Sequence, residues 1–456
     1  MTAFGGAYRL GRASDGRLRQ IWQLALPIIG ALASQIVLNL VDTAMVGHLG
    51  AAALAAVGLG SFLNFMAFST VTGLSTAVQA LAARRQGEGR HEVAAVPLNG
   101  GILLSAAIGL PLSASLIALA PWLCARLNHD PEVARLGAQY LRLRLVAVVA
   151  IGINFSFRGY WSAVKRSAHY LRTLLLMCVL NIVLDRLLIF GSGAVPALGV
   201  RGAGLASMVS ALSGTAAYFS LGWRSARGAG FAQRLPTPQE LAALLRLGLP
   251  SCAQQLLFSA GFVALFWIVG RIGTAELAVA QVLVNITLAA VLPAMGFGLA
   301  AATFCSQALG RGDPADAYRW AWDVFRTSWW VFGALALVML LLPRTVLGLF
   351  VGGGPAGAAL IEIGVAPLRL VGTTVLLDGL GMVLMQALLG AGASAAVMRV
   401  SVGMQWGVFL PLAWTAATLL HAGLTQVWLL LAAYRAAQTL IFTWLWRGRG
   451  WSRARL

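Results

Sequence analysis

Apolar runs of about 20 residues follow one another from one end of this chain to the other, the first extending from Ile21 almost to Asp42. At 1.5 Å of rise per residue, each is long enough to cross the ~30 Å hydrocarbon layer of a bilayer. Inside that layer there is no water for backbone N–H and C=O groups, so a spanning segment must be a helix or part of a closed barrel. Barrel strands are short and alternate apolar with polar residues, and these runs are continuous. The expected fold class is all-α, a polytopic membrane protein in the lipid bilayer. Twelve spans are expected, at 21–46, 54–80, 96–124, 136–163, 170–191, 200–222, 242–269, 277–306, 320–348, 360–389, 396–418 and 424–446. With 59% hydrophobic and only 10% charged residues, no soluble domain could hide its apolar sequence.

A net charge of +19 would ordinarily suggest a polyanionic partner. The positions of the arginines argue for a different cause. Arg9, Arg12, Arg17 and Arg19 precede the first span, and every second loop is basic: Arg84, Arg85 and Arg90; Lys165, Arg166 and Arg172; Arg224, Arg227 and Arg234; Arg311 and Arg319; Arg399. The tail adds Arg447, Arg449, Arg453 and Arg455, whereas the intervening loops hold few, such as Arg126, Arg135, Arg201, Arg271 and Arg344. This is the positive-inside asymmetry, and it predicts a multi-pass inner-membrane protein with both termini in the cytoplasm and no nucleic-acid partner. The first run is too long for a signal core and is expected to be retained. Cys124, Cys178, Cys252 and Cys305 are scattered singly, without C-x-x-C or zinc spacing, and are expected to be small packing residues; no metal site is expected.

Sliding the chain by 223 positions aligns it with itself without a gap over some sixty residues. "LALP" (Leu24–Pro27) meets "LGLP" (Leu247–Pro250), and "VGHLG" (Val46–Gly50) meets "VGRIG" (Val269–Gly273). Gly73, Gly87 and Gly89 face Gly296, Gly310 and Gly312. Six spans per half is an even number, so the two repeats start on the same side and are parallel, related by an axis along the membrane normal. The expected organisation is an N-terminal lobe (1–222), a polar cytoplasmic linker (223–241) and a C-terminal lobe (242–456), around a central cleft suited to alternating access.

Several spans carry polar residues on one face. Gln35, Asn39 and Asp42 fall at i, i+4 and i+7 of helix 1; Asn181 and Asp185 are one turn apart on helix 5; Asn154 and Arg158 have the same spacing on helix 4; helix 6 contributes Ser207. Such faces are expected to meet inside the first lobe, since none can look at lipid. Two acids in a poorly hydrated pocket cannot both stay ionised cheaply, which makes the pair a site for a proton. The competing reading is a buried salt bridge from Asp185 to Arg158 or Arg186. In the second half Asp378 is the deeply placed acid, Glu362 lies nearer a helix end, and Gln254, Gln255, Gln281 and Asn285 are candidates to line the cleft.

With "LALPIIG", "LVDTAMVGHLG", the "RRQGEG" loop and the repeated "LGLP…VGRIG…QALGRGD", the chain resembles the multidrug and toxic compound extrusion (MATE) transporters, and its VDTAMVGHL segment resembles the DinF branch. The resemblance covers nearly the whole chain and implies an exporter of polyspecific, often cationic or amphipathic small molecules, driven by inward cation movement. By that resemblance the proton site lies at Asp42, Asn181 and Asp185, with a helix 6 hydroxyl at Ser207; Asp42 and Asp185 are expected to carry the coupling proton, and Asn39, Asn154 and Gln35, from their helix faces, are expected to join Asn181 and Ser207 in contacting proton site and substrate. Ser207 stands where threonine is usual. The sodium-coupled branch places a glutamate eight residues after the "GLP" proline, where this chain has Phe258; Asp378 does match the helix 10 acid of that site, which keeps it as a candidate second-lobe cation position. The expectation is a proton-coupled drug antiporter, acting as a monomer, not an enzyme, and with no cofactor beyond the coupling H⁺, Na⁺ being disfavoured. The alternatives are a flippase for lipid-linked or amphipathic molecules and a sodium-coupled exporter. A membrane-embedded polyprenyl transferase would need acid or histidine motifs that the arginine- and glycine-rich loops lack.

Overall fold

The computed structural model describes residues 15–191, 193, 196–350 and 355–453. Arg9, Arg12 and Arg455 of the basic termini lie outside them. The described residues are helical throughout, without a strand. Twelve long helices run in order: α1 Asp15–Gly47, α2 Ala51–Gly87, α3 Val96–Leu127, α4 Pro131–Val146 with Val148–Ala163, α5 Ser167–Phe190, α6 Val200–Ser225, α7 Pro238–Gly270, α8 Thr274–Gly310, α9 Pro314–Leu341, α10 Pro355–Gly390, α11 Ser394–Thr418 and α12 Leu424–Arg447. Nine of these are long and apolar enough to cross a membrane, and the two parts of α4, bent by 46° at Ala147, form a tenth span. The other two, α6 and α12, have 26 and 24 residues, enough at 1.5 Å each to match ~30 Å of hydrocarbon.

Local chemistry explains where the helices start and break. Asp130 caps α4 through the N–H groups of Glu132 and Val133, with Pro131 in the first turn. Thr237 and Glu240 form a capping box at α7. Asp313 accepts from the Asp316 N–H at α9. Helix α2 breaks at Gly73, and Gly403–Phe409 is a π-helical segment inside α11. All four cysteines are buried and unpaired.

The repeat seen in the sequence is built into the contact between the halves. A Cβ on Gly73 would strike the backbone of Gly248 and Cys252 in α7; one on Gly296 would strike Ala25 and Ile29 in α1, the positions 223 residues earlier. Likewise Gly87 lies against the Gln307 backbone, and its mate Gly310 against the carbonyl of Arg84, the mate of Gln307. Residue i touches j and the mate of j touches the mate of i, the signature of a two-fold axis. Around this seam Gln79 donates to the Leu299 carbonyl (2.8 Å) and to Thr303 (2.9 Å), Thr303 donates to the Ser162 carbonyl (3.2 Å), and Gln307 donates to the Ala163 carbonyl (2.8 Å). Arg17 of α1 pairs with Asp316 (2.5 Å) and Asp323 (2.7 Å) of α9, and Arg85 pairs with Glu240.

These links gather at the end of the molecule that carries the chain termini. Along α1 the buried residues run from Ile21 to Leu32 and then resume only at Val46. Beyond that stretch Gln35, Asn39, Gln255, Gln281 and Asn285 are exposed. In a membrane-crossing segment such polar positions cannot face lipid, so they flank a cleft that opens away from the termini.

Candidate functional site

The cavity of interest lies inside the first half, walled by α1, α2, α4, α5 and α6, with a volume of about 570 Å³. Three residues of α1, Gln35, Asn39 and Asp42, line it together, as their shared helix face requires. Asn154 from α4, Asn181 from α5 and Ser207 from α6 complete the polar set expected from the sequence. The α4 break at Ala147 turns its second half so that Asn154 reaches α6: its Nδ2 donates to the Ala211 carbonyl (3.1 Å), and its Oδ1 accepts from Thr215 (2.8 Å).

Asp185 is 1% exposed and sits one turn beyond Asn181, whose Nδ2 donates to its Oδ2 at 2.5 Å. Asp42 faces it from α1, and the two carboxyls are hydrogen-bonding neighbours. One oxygen of each, Oδ1, is buried without any hydrogen-bond partner. Two carboxyls at hydrogen-bonding range cannot both ionise cheaply.

The salt-bridge alternative is not what the chain builds. Arg158 donates to Ser75 (3.3 Å) and lies over the Phe155 ring (4.3 Å), while Arg186 is exposed and stacks on Phe190 (5.2 Å). The cation that acts on both acids is Arg144, a cavity residue whose Nε is buried without a partner. Arg144 is not among the residues that the sequence analysis singles out. Its signal was available, since an arginine inside a membrane helix is a functional candidate by default. Tyr140, Ser61 and Ser210 also line the cavity and had not been singled out; the first two share a hydrogen bond of 3.1 Å.

In the second half the Asp378 carboxylate accepts from Arg435 Nε of α12 at 2.9 Å, so the position proposed for a mobile cation already faces a resident guanidinium. Phe258 packs edge-on against Phe262, their centroids 5.0 Å apart. Glu362 pairs with Arg344 (3.0 Å) near a helix end, and both side chains are largely exposed. Gln254 contacts Ser401 (3.3 Å) and is half-buried, whereas Gln255, Gln281 and Asn285 stand open towards the cleft.

Comparison with known proteins agrees with this geometry. The family model MatE matches residues 27–187 and again 250–415, one match in each half. A protein of Bradyrhizobium diazoefficiens named a probable multidrug resistance protein NorM is 32% identical over 415 residues, covering 89% of this chain and 88% of its own length. A Brucella suis protein of the same name is 27% identical over 457 residues, covering 97% and 94%. Among solved structures, an outward-facing multidrug resistance MATE transporter of the MOP superfamily superposes with a TM-score of 0.87 at 21% identity, covering 98% of this chain and all of that one. A MOP superfamily transporter from Pyrococcus furiosus, described as having a binding pocket of reversed polarity, gives 0.86 at 21% identity over 96% and 98%.

Proposed function

The chain belongs to the MatE family, and from that premise we propose that it exports drug-like molecules across the inner membrane in exchange for protons, with Asp42 and Asp185 as the coupling pair. A multidrug efflux antiporter needs no prosthetic cofactor, so the driving force has to enter through side chains. The observation that carries the reading is the contact between these two acids, of which Asp42 lines a cavity of about 570 Å³, a volume that suits a drug-sized ligand, while Asp185 is buried behind it. Asn39, Asn154, Asn181, Ser207 and Gln35 supply hydrogen bonds to substrate and to the acids in either protonation state. A proton entering the pair removes the negative charge that holds a cationic substrate, so proton and substrate compete through the same electrostatics.

With both termini in the cytoplasm, the cleft opens to the periplasm, and the seam closes the cytoplasmic side. Lobes 1–222 and 242–456, joined by the linker 223–241, then rock about that seam in a monomer. Sodium coupling is disfavoured on two counts: Phe258 replaces the acid of the sodium-type site, and Arg435 holds Asp378. Transport in proteoliposomes tests the proposal. A pH gradient should drive efflux of a cationic dye, while a sodium gradient at constant pH should not; sodium-driven efflux abolished by Asp378→Asn would move coupling to the second lobe.

A further inference from the structure

Two buried polar groups near the acids lack partners, and they lie level on adjoining helices. Asn64 of α2 is fully buried, and neither its Oδ1 nor its Nδ2 has a hydrogen-bond partner. Arg144 of α4 lines the cavity with its Nε buried and equally unpartnered. Among the described residues no carboxylate forms an ion pair with it. The packing of the two helices sets the level. Gly60 of α2 lies against the Tyr140 ring of α4, and Val71 lies against Gly152, so the helices run parallel. Asn64 is one turn past Gly60, and Arg144 is one turn past Tyr140. Ala67, on the same face of α2 as Gly60 and Asn64, packs in one cluster with Leu141, Leu145 and Val148 of α4.

The two orphaned groups are complementary, since an amide oxygen accepts what a guanidinium Nε donates. Leaving a buried donor and a buried acceptor unmatched is costly. Arg144 has a second neighbour to serve, because its charge also acts on Asp42 and Asp185. Its long stem rotates, so one guanidinium can answer either. We propose that Arg144 is a tethered counter-cation, which turns to the acids when they are ionised and the cavity is empty, and withdraws to Asn64 when a cationic substrate or a proton takes its place. The acids then never stand as bare charge at membrane depth. A cationic substrate has to displace Arg144 in order to bind, so this residue sets how tightly such a substrate is held. It is a positioning residue that acts through Asp42 and Asp185. The inference rests on the antiport reading and adds to it the group that occupies the acids between substrate and proton.

Binding of tetraphenylphosphonium, a permanent cation, to the purified full-length protein at alkaline pH tests this, with uncharged triphenylphosphine oxide as the comparison. Arg144→Gln should tighten tetraphenylphosphonium binding by about tenfold or more, the scale of removing one competing charge at low dielectric, and should leave the phosphine oxide unaffected. Arg144→Lys keeps the charge and should bind as the wild type does. Asn64→Leu removes the resting place of the guanidinium and should weaken tetraphenylphosphonium binding; in the Arg144→Gln background it should have no effect. Thermal melting checks the fold of each variant. Unchanged or weaker cation binding in folded Arg144→Gln, the same gain in Arg144→Lys, or an equal gain for the phosphine oxide overturns the proposal. So does unaltered cation binding in folded Asn64→Leu, or an Asn64→Leu effect that survives in the Arg144→Gln background. If Arg144→Gln fails to fold, Asn64→Leu decides alone: weaker binding of the cation with the phosphine oxide unaffected supports the proposal, and any other result overturns it. Proton-driven export of tetraphenylphosphonium by the wild type, alongside unchanged binding in Arg144→Gln, would leave the antiport reading standing and remove this one; absence of that export would remove the antiport reading itself.

Discussion

Asn181 holds one oxygen of Asp185 while the other, like its counterpart on Asp42, lies buried without a donor, and the proposed proton coupling rests on that arrangement. Asp42→Asn, nearly isosteric, should reduce gradient-driven efflux to the background rate while leaving the melting temperature within a few degrees of wild type; efflux at the wild-type rate in the folded variant would refute its role. Asp185→Asn should weaken binding of a cationic dye and flatten the dependence of that binding on pH, because the two titrations are coupled. A fall in stability with the pH profile intact would make Asp185 a packing residue. Asp378→Asn behaves differently: it strands Arg435 in the second half, so about 3–5 kcal/mol of stability should be lost while proton-driven efflux per folded molecule persists. Denaturation and transport measured on one preparation check both parts. The i, i+4 faces of α1 and α5 were readable in the sequence because helix geometry alone brings their residues into line. An arginine in α4 stood out as a candidate, but Arg142 and Arg144 alternate in "YLRLRLV", and only the fold leaves Arg142 exposed and puts Arg144 against the cavity. The pairing of Asp378 with Arg435 was equally hidden, being a meeting of two helices 57 residues apart in sequence.

Helices α2 and α8 meet through backbone, with no side chain between Gly87 and Gln307 or between Gly310 and Arg84. Alanine in place of glycine would by itself strengthen a helix interior by about 1 kcal/mol, so any loosening from such a change has to come from the lost close approach. In Gly310→Ala the added methyl meets the Arg84 carbonyl oxygen, and the seam should open more often. With the other three cysteines replaced, labelling of Cys252, buried at this seam beside Gly73, should become faster from the terminal side. Labelling no faster than in the parent would show that the contact does not limit opening. Helix number and approximate limits were legible because each span needs a continuous apolar run. The bend at Ala147 was not, because neither proline nor glycine marks it in "RLVAVVA".

At the scale of the whole molecule the seam is symmetric and the chemistry is not. The acid pair, its cavity and Arg158 belong to the first half, whereas the corresponding depth of the second holds Phe258 and a closed Asp378–Arg435 pair. The repeat itself could be read from glycine spacing, since a backbone contact tolerates no other residue and so leaves its mark in both copies. The difference in function could not, because it depends on which partner each acid finds. The symmetry makes a prediction of its own: Gly87→Ala and Gly310→Ala should speed seam labelling by the same factor, since they alter one α2–α8 contact seen from its two sides. Unequal factors would mean that the two halves of the joint carry different loads. A joint of this kind is what one six-helix chain would make on meeting its own copy, which points to descent from a dimer whose gene doubled and fused. Fusion let the copies diverge without breaking the joint they share, so one keeps the polar cavity and the other a closed ion pair.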